Sequence, residues 1–238
     1  MRRVAIIQAR MTSTRLPGKV LMDLAGRPML ARLLARVKRS HRIDDIVVAT
    51  TTNVADDPVV ATAREESVRW FRGSETDVLG RYLSAAREAH AEVVVRITAD
   101  CPLIDPEVSD RVVEALTARP EMFDYASNVL RRTYPQGLDT EALWLDTLER
   151  VARQAQSASA REHVTPYIYC ERPDLFLLCS VTDDRDASDL RWTVDHREDL
   201  ERVRRMYEDL RLAERVVSYR EVLDYARAHP AVPAARGA

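Results

Sequence analysis

Three short apolar runs constrain this chain more than any other feature. Val4-Ala5-Ile6-Ile7, Ile46-Val47-Val48-Ala49 and Val93-Val94-Val95-Arg96-Ile97 are dense in β-branched residues, and the later two follow stretches of helical periodicity, Met29 to Val37 and Val78 to Ala89. Continuous rather than alternating apolarity marks strands buried on both faces. Strands that alternate with helices pack as a mainly parallel sheet with helices on either side. Asp57-Pro58 opens a further helix and Val68-Arg69-Trp70-Phe71 suits another short strand, so the N-terminal part reads as successive βα units of a Rossmann-like half.

Farther along, Asp105-Pro106 supplies an N-cap and a first-turn proline to a helix running to Ala118, with Val108, Val112, Val113 and Leu116 on one stripe. Regularity then weakens. Residues 124–189 mix short strand candidates with polar helices, one of them over Gln154 to His163, and are expected to form a lobe over one end of the sheet that supplies specificity and a dimer contact. Leu190 to Val194 reads as a returning strand, and Glu198 to Leu210 as a helix with Leu200, Val203, Tyr207 and Leu210 facing inward. No internal repeat or linker divides the chain, so one domain over 1–238 is expected, with a loose tail at 229–238.

Composition narrows the function. The 238 residues are 46% hydrophobic and 31% charged, enough to enclose a core, and 36 basic residues against 38 acidic ones leave a net charge of -2. That balance supplies no global positive field for nucleic acid or a membrane surface, so an anionic ligand must be held locally. No run approaches the roughly 20 apolar residues of a membrane span or forms a signal-peptide core, and a soluble cytoplasmic protein is expected. Cys101, Cys170 and Cys179 are odd in number and lack CxxC or Cys/His ligand spacing, which predicts reduced thiols. Lys19 and Lys38 are the only lysines among many arginines, which draws attention to a lysine directly after Gly18.

The segment Gln8 to Lys19 is the strongest chemical signal. It sets Arg10, Arg15 and Lys19 with the hydroxyls of Thr12, Ser13 and Thr14 in one loop straight after a buried strand. Ligands of open α/β sheets bind outside the carboxyl ends of strands, where such a loop turns N–H groups and cations onto phosphate oxygens. This is a polyphosphate cradle by composition. It is neither a Walker loop nor a GxGxxG loop, because Gly18 stands alone and the required spacings are absent.

The run Ile6 to Pro28, with its Arg15-Leu16-Pro17-Gly18-Lys19-Val20-Leu21 core, resembles the nucleotide-binding opening of the sugar cytidylyltransferases. That group includes the acylneuraminate and Kdo enzymes, and the spore coat polysaccharide biosynthesis protein F branch is the nearest match. Further segments look like that branch in the same order: Arg72 to Leu79, Thr98 to Ile104, Tyr134 to Glu141, Arg161 to Pro166 and Leu190 to Asp195. The resemblance implies a three-layer GT-A-like α/β nucleotidyltransferase fold. It also implies a reaction in which an oxygen of an acidic sugar or related small acceptor attacks the α-phosphorus of CTP, with pyrophosphate leaving, in polysaccharide biosynthesis.

Residue by residue, the resemblance implies that Arg15, Lys19, Asp100 and Asp195 act in catalysis. Asp100 ends the Val93 to Ile97 strand and Asp195 ends the Leu190 to Val194 run, so both carboxylates are expected at one sheet edge, where hard oxygen ligands suit Mg2+. The nucleotide is expected on Gln8, Ala9, Arg10, Ser13, Thr14, Gly18, Thr51, Gly73, Ser74 and Ala99 as well as Arg15 and Lys19. The acceptor is expected on Gln136, Asp139, Glu141, Arg161, Glu162 and His163, and a homodimer is a further expectation. Plainer readings remain open here: a helix cap for Asp195, a simple turn at Gly73-Ser74, a solvated helix start at Arg161 and a packed structural thiol for Cys101. Two other functions also remain, a metal-dependent glycosyltransferase of the same fold using a nucleotide sugar, and a catalytically silent nucleotide-binding protein. The cationic loop favours a triphosphate over a diphosphate-sugar.

Overall fold

A computed structural model describes residues 1–230. Seven strands form one sheet: β1 (Arg3–Gln8), β4 (Asp45–Thr51), β5 (Arg69–Gly73), β6 (Val93–Thr98), β7 (Tyr125–Ser127), β8 (Glu141–Trp144) and β9 (Leu178–Ser180), with β2 (Asp23–Leu24) and β3 (Arg27–Pro28) making a separate small hairpin. Their order is β5-β4-β1-β6-β8-β7-β9. The first four are mutually parallel, and β8 alone runs against the rest.

The apolar runs explain this order. In β1, Val4 and Ile6 pack on one face and Ala5 and Ile7 on the other, and all four are buried, so both faces need helices. One face is covered by α1 (Met29–Val37), α2 (Asp57–Glu65) and α4 (Pro106–Thr117), and the other by α3 (Val78–Glu88), α5 (Leu145–Gln154) and α6 (Ala158–His163). The result is the three-layer α/β arrangement expected. A third apolar cluster, at one end, packs α7 (Arg197–Asp209) and α8 (Tyr219–Ala228) against Leu24, Tyr134 and Trp192. Asp105 caps α4 as expected, its Oδ1 accepting from the N–H groups of Glu107 (3.0 Å) and Val108 (3.1 Å). None of the described helices is long and apolar enough to cross a membrane.

Three expectations need correction. Leu190 to Val194 is not a strand: it makes a single bridge, Gln136 to Arg191, and several of its backbone groups bond to loops, including Trp192 N–H to Gln136 O (2.7 Å) and Val194 N–H to Asp100 O (2.9 Å). Apolar Trp192 and Val194 are buried, but in the third cluster rather than in the sheet, so their burial gives no strand signal. The helix expected over Gln154 to His163 is interrupted, because α5 ends at Gln154 and Ser157 caps a new helix by accepting from Ala160 N–H (3.0 Å). Residues 124–189 contribute β7, β8 and β9 to the sheet itself, extending its edge. Of the tail at 229–238, residues 231–238 lie outside the described residues.

Candidate active site

The loop after β1 turns back on itself because Gly18 adopts a left-handed conformation (φ 71°) and donates from its N–H to Met11 O (2.9 Å). Lys19–Leu21 then form a short 3-10 turn, with Leu16 and Val20 buried beneath. This geometry drives Lys19 inward, where it is only 7% exposed. Its Nζ donates to Asp195 Oδ1 (2.9 Å), Asp100 Oδ2 (3.2 Å) and the Val194 carbonyl (2.7 Å). One ammonium therefore ties the carboxyl end of β6 to the segment before α7.

Asp195 carries more positive charge than Lys19 alone. Arg15 reaches its Oδ1 at 2.7 Å, and Arg191 pairs with its Oδ2. Burial pushes the Asp195 carboxyl up, but the Lys19 hydrogen bond and the charges of Lys19 and Arg15 outweigh it and hold the group below the ordinary carboxylate range. Arg191 is itself fixed by Asp199, at 3.1 and 3.2 Å, and Asp199 also accepts from the backbone of Asp195 (3.0 Å) and His196 (2.9 Å). Asp199, not Asp195, satisfies the start of α7. Asp100 is held by Thr98 Oγ1 (2.6 Å) and stays partly open to solvent.

Magnesium usually takes one or two carboxylates together with substrate phosphates and water. Asp100 and Asp195 converge on one ammonium, and among the described residues no third His, Cys, Asp or Glu completes a protein-only metal cage. This donor set fits a cation shared with a triphosphate and does not fit a closed structural site.

A cavity of about 340 Å³ opens beside this cluster, lined by Gln8 at the end of β1 and much of the loop that follows, by Arg96 and Thr98 of β6 with Ala99 and Asp100 after it, and by residues of α3 and α6. Of the expected nucleotide residues, Gln8, Ala9, Arg10, Ser13, Thr14, Arg15, Lys19 and Ala99 line it. Thr51 does not: it is buried, and its hydroxyl and N–H both bond Asp56. Gly73 and Ser74 are not among the residues that line it, and Ser74 O accepts from Arg81 (2.5 Å).

The expected acceptor residues divide. Glu162 and His163 line the cavity, whereas Arg161 points away, to Asp77 Oδ2 (2.5 Å) and Ala152 O (3.1 Å). Asp139 is clamped by Arg132 at 2.6 and 2.9 Å, and Gln136 bonds the 190–192 segment through its backbone. Glu141 is buried on β8, where it pairs with Arg96 and accepts from Tyr125 Oη (2.8 Å). Arg81, Arg96, Thr98 and Arg191 were not anticipated. For Arg96 a signal existed, since one arginine inside an otherwise apolar strand needs a buried partner or a ligand.

Cys101 is buried, and burial with the Asp100 charge pushes its thiol well up, which suits a packing role.

Comparison with known proteins gives the family and the fold. The family model described as Cytidylyltransferase matches residues 4–220. Spore coat polysaccharide biosynthesis protein SpsF of Bacillus subtilis (strain 168) is 34% identical over 218 residues, covering 85% of each chain. A 3-deoxy-manno-octulosonate cytidylyltransferase of Anaeromyxobacter sp. (strain Fw109-5) is 35% identical over 184 residues, 71% of this chain and 73% of that one. Among solved structures, a cytidylyltransferase from Leptospira borgpetersenii superposes with a TM-score of 0.91 at 32% identity, covering 97% of this chain and 95% of the other.

Proposed function

This chain belongs to the cytidylyltransferase family, and on that premise we propose that it transfers CMP from CTP to a sugar or related small acceptor, releasing pyrophosphate. The observation that carries the reading is the bridge from Lys19 to both Asp100 and Asp195, where Lys19 and Asp100, though not Asp195, line a cavity shared with the cationic loop. A triphosphate is an anion that repels nucleophiles, so its transfer demands cations at the phosphates. Arg10, Arg15 and Lys19 supply them from one loop.

In the proposed reaction an acceptor hydroxyl oxygen attacks the α-phosphorus. The new O–P bond forms as the bond to the bridging oxygen of the β-phosphate breaks, the electron pair leaves with pyrophosphate, and the hydroxyl proton passes to solvent. Arg15 and Lys19 move from Asp195 to the phosphate oxygens as the nucleotide enters, which frees the two carboxylates. A magnesium ion held by Asp100 and Asp195 would neutralise phosphate charge and favour the ionised form of the attacking oxygen. Thr98 and Arg191 keep the two carboxylates oriented throughout. Glu162 and His163, on the α6 side of the cavity, contact the acceptor.

The test is pyrophosphate release with magnesium, each of the four nucleoside triphosphates and a panel of acidic sugars. Release from CTP that requires an acceptor supports the proposal. Consumption of a nucleotide sugar with no triphosphate turnover would replace it with the glycosyltransferase reading.

A further inference from the structure

Asp56 is fully buried and makes no salt bridge among the described residues, yet its carboxylate accepts three hydrogen bonds. Oδ1 accepts from the N–H of Met11 (2.7 Å), and Oδ2 accepts from the N–H of Thr51 (3.2 Å) and from the Thr51 hydroxyl. The residue stands at the N-cap position of α2, where an aspartate ordinarily accepts from its own helix. Asp56 makes no such bond. It ends a short 3-10 turn, Val54–Asp56, which Asn53 starts by accepting at Oδ1 from the N–H of Ala55 (3.0 Å). That turn commits the carboxylate to the cationic loop, 45 residues earlier in the chain, instead of to α2.

Met11 is where the loop is held. Between Arg10 and Arg15 it is, among the described residues, the one residue whose backbone N–H meets a protein acceptor. Its carbonyl accepts from Gly18 N–H (2.9 Å), and Gly18 leads directly into Lys19. Two hydrogen bonds thus connect Asp56, through Met11, to the turn that drives Lys19 onto Asp100 and Asp195. Because the peptide is planar, fixing the Met11 N–H also orients the Arg10 carbonyl and the course of the chain beyond it. The N–H groups of Thr12, Ser13, Thr14 and Arg15 have no protein acceptor among the described residues, which leaves them for phosphate oxygens.

A neutral serine or threonine would cap α2 without placing a charge in the interior. A carboxylate there is explained by the loop, since a hydrogen bond from a backbone N–H to an ionised acceptor is about twice as strong as a neutral one. We propose that Asp56 is a positioning residue that holds the triphosphate loop in its binding form before the nucleotide arrives. The loop is then ordered during folding, and the nucleotide meets a site already set. This assignment rests on the CTP reading of the site. It concerns affinity, not the bond-making step, because Asp56 is buried away from the cavity.

The experiment compares the wild-type protein with Asp56→Ala and Asp56→Asn. It measures pyrophosphate release, calorimetric binding of CTP and of inorganic tripolyphosphate with magnesium, thermal melting, and amide hydrogen exchange of residues 8–19 by NMR. In the ligand-free wild-type protein the Met11 amide should exchange more slowly than those of Thr12 to Arg15. Asp56→Ala frees that amide, so a smaller share of molecules holds the binding form. KM for CTP and Kd for tripolyphosphate should both rise by roughly 10- to 100-fold, while kcat at saturating CTP stays within about threefold. Exchange at Met11 should quicken in this variant and slow again when CTP and magnesium are added. Asp56→Asn keeps an oxygen for Met11 and leaves the Thr51 N–H without an acceptor. Its melting temperature should fall while KM stays within about threefold of wild type, a split that a merely structural role would not give.

An unchanged KM in folded Asp56→Ala would overturn the assignment. So would a loss of kcat with KM unaltered, which would tie Asp56 to the chemical step, or an asparagine variant as weak in binding as the alanine one, which would make charge and not the Met11 hydrogen bond the cause. If Asp56→Ala does not fold, the wild-type exchange decides, and a Met11 amide as fast as its neighbours would refute the proposal. If the wild-type protein releases no pyrophosphate from CTP, the CTP reading fails, while the exchange and tripolyphosphate measurements still judge Asp56.

Discussion

Lys19 Nζ stands 2.9 Å from Asp195 Oδ1 across a separation of 176 residues, and the same ammonium reaches Asp100 Oδ2 at 3.2 Å. The contact joins the loop after the first strand to the segment that enters α7, and it brings the cationic and acidic halves of the site onto one point. Removing the ammonium leaves Asp195 with Arg15 and Arg191, while the Val194 carbonyl loses its donor. Lys19→Met is therefore expected to lower stability by about 1–3 kcal/mol, read by urea denaturation. It should also reduce pyrophosphate release by roughly 10²- to 10³-fold. A variant of full activity would separate this loop from the phosphates.

Asp100 differs from Asp195 in being partly open to solvent, with Thr98 as its neutral partner. Asp100→Asn keeps the shape and the Thr98 contact, so melting should be unchanged. The magnesium concentration for half-maximal pyrophosphate release should rise by roughly tenfold or more. An unaltered magnesium dependence would remove Asp100 from the metal site.

Gly137 holds the Asp195 segment from behind. Its φ is 111°, and a Cβ there would lie 2.9 Å from both Thr193 N and Trp192 C, so the backbone before Asp195 would have to move. Gly137→Ala should cost about 1–3 kcal/mol of stability and lower turnover together with it. Both are measured on one preparation, by denaturation and by pyrophosphate release. Loss of neither would show that the 192–195 segment has slack.

Thiol reactivity follows burial. Because burial and the Asp100 charge push the Cys101 thiol well up, it stays protonated at neutral pH and its thiolate fraction remains negligible even in mildly alkaline buffer. Exposed Cys170 should react first with iodoacetamide in mildly alkaline buffer, because it is accessible, and Cys101 only after unfolding. Peptide mass spectrometry reads the order, and rapid labelling of Cys101 in the folded protein would contradict its packing.

Much of this was legible in the residues, for identifiable reasons. Val4, Ile6, Ala5 and Ile7 are all buried because β1 is covered on both faces, and that burial writes a continuous apolar run into the sequence. The cationic loop was legible because it follows that run directly. Leu190 to Val194 misled because Trp192 and Val194 are buried in a cluster outside the sheet, and apolar composition records burial, not pairing. Arg81 was hidden by its helix: Val78, Leu79 and Tyr82 mark α3 as a core helix, and an arginine between them reads as solvated until its surroundings are seen. A hydroxyl at a strand end suits a ligand, but the Thr51 hydroxyl is taken by Asp56 five residues on, a pairing that composition alone does not reveal. Asp139 and Arg161 likewise face protein partners that local sequence does not reveal, Arg132 and Asp77.

The most direct test of the central claim is a crystal structure with Mn2+ and a CTP analogue whose bridging oxygen between the α- and β-phosphates is replaced by a methylene group. The account predicts one anomalous peak within coordination distance of both Asp100 and Asp195, with phosphate oxygens on Arg15 and Lys19. A nucleotide seated away from the 8–20 loop, or a metal peak that touches neither aspartate, would contradict it.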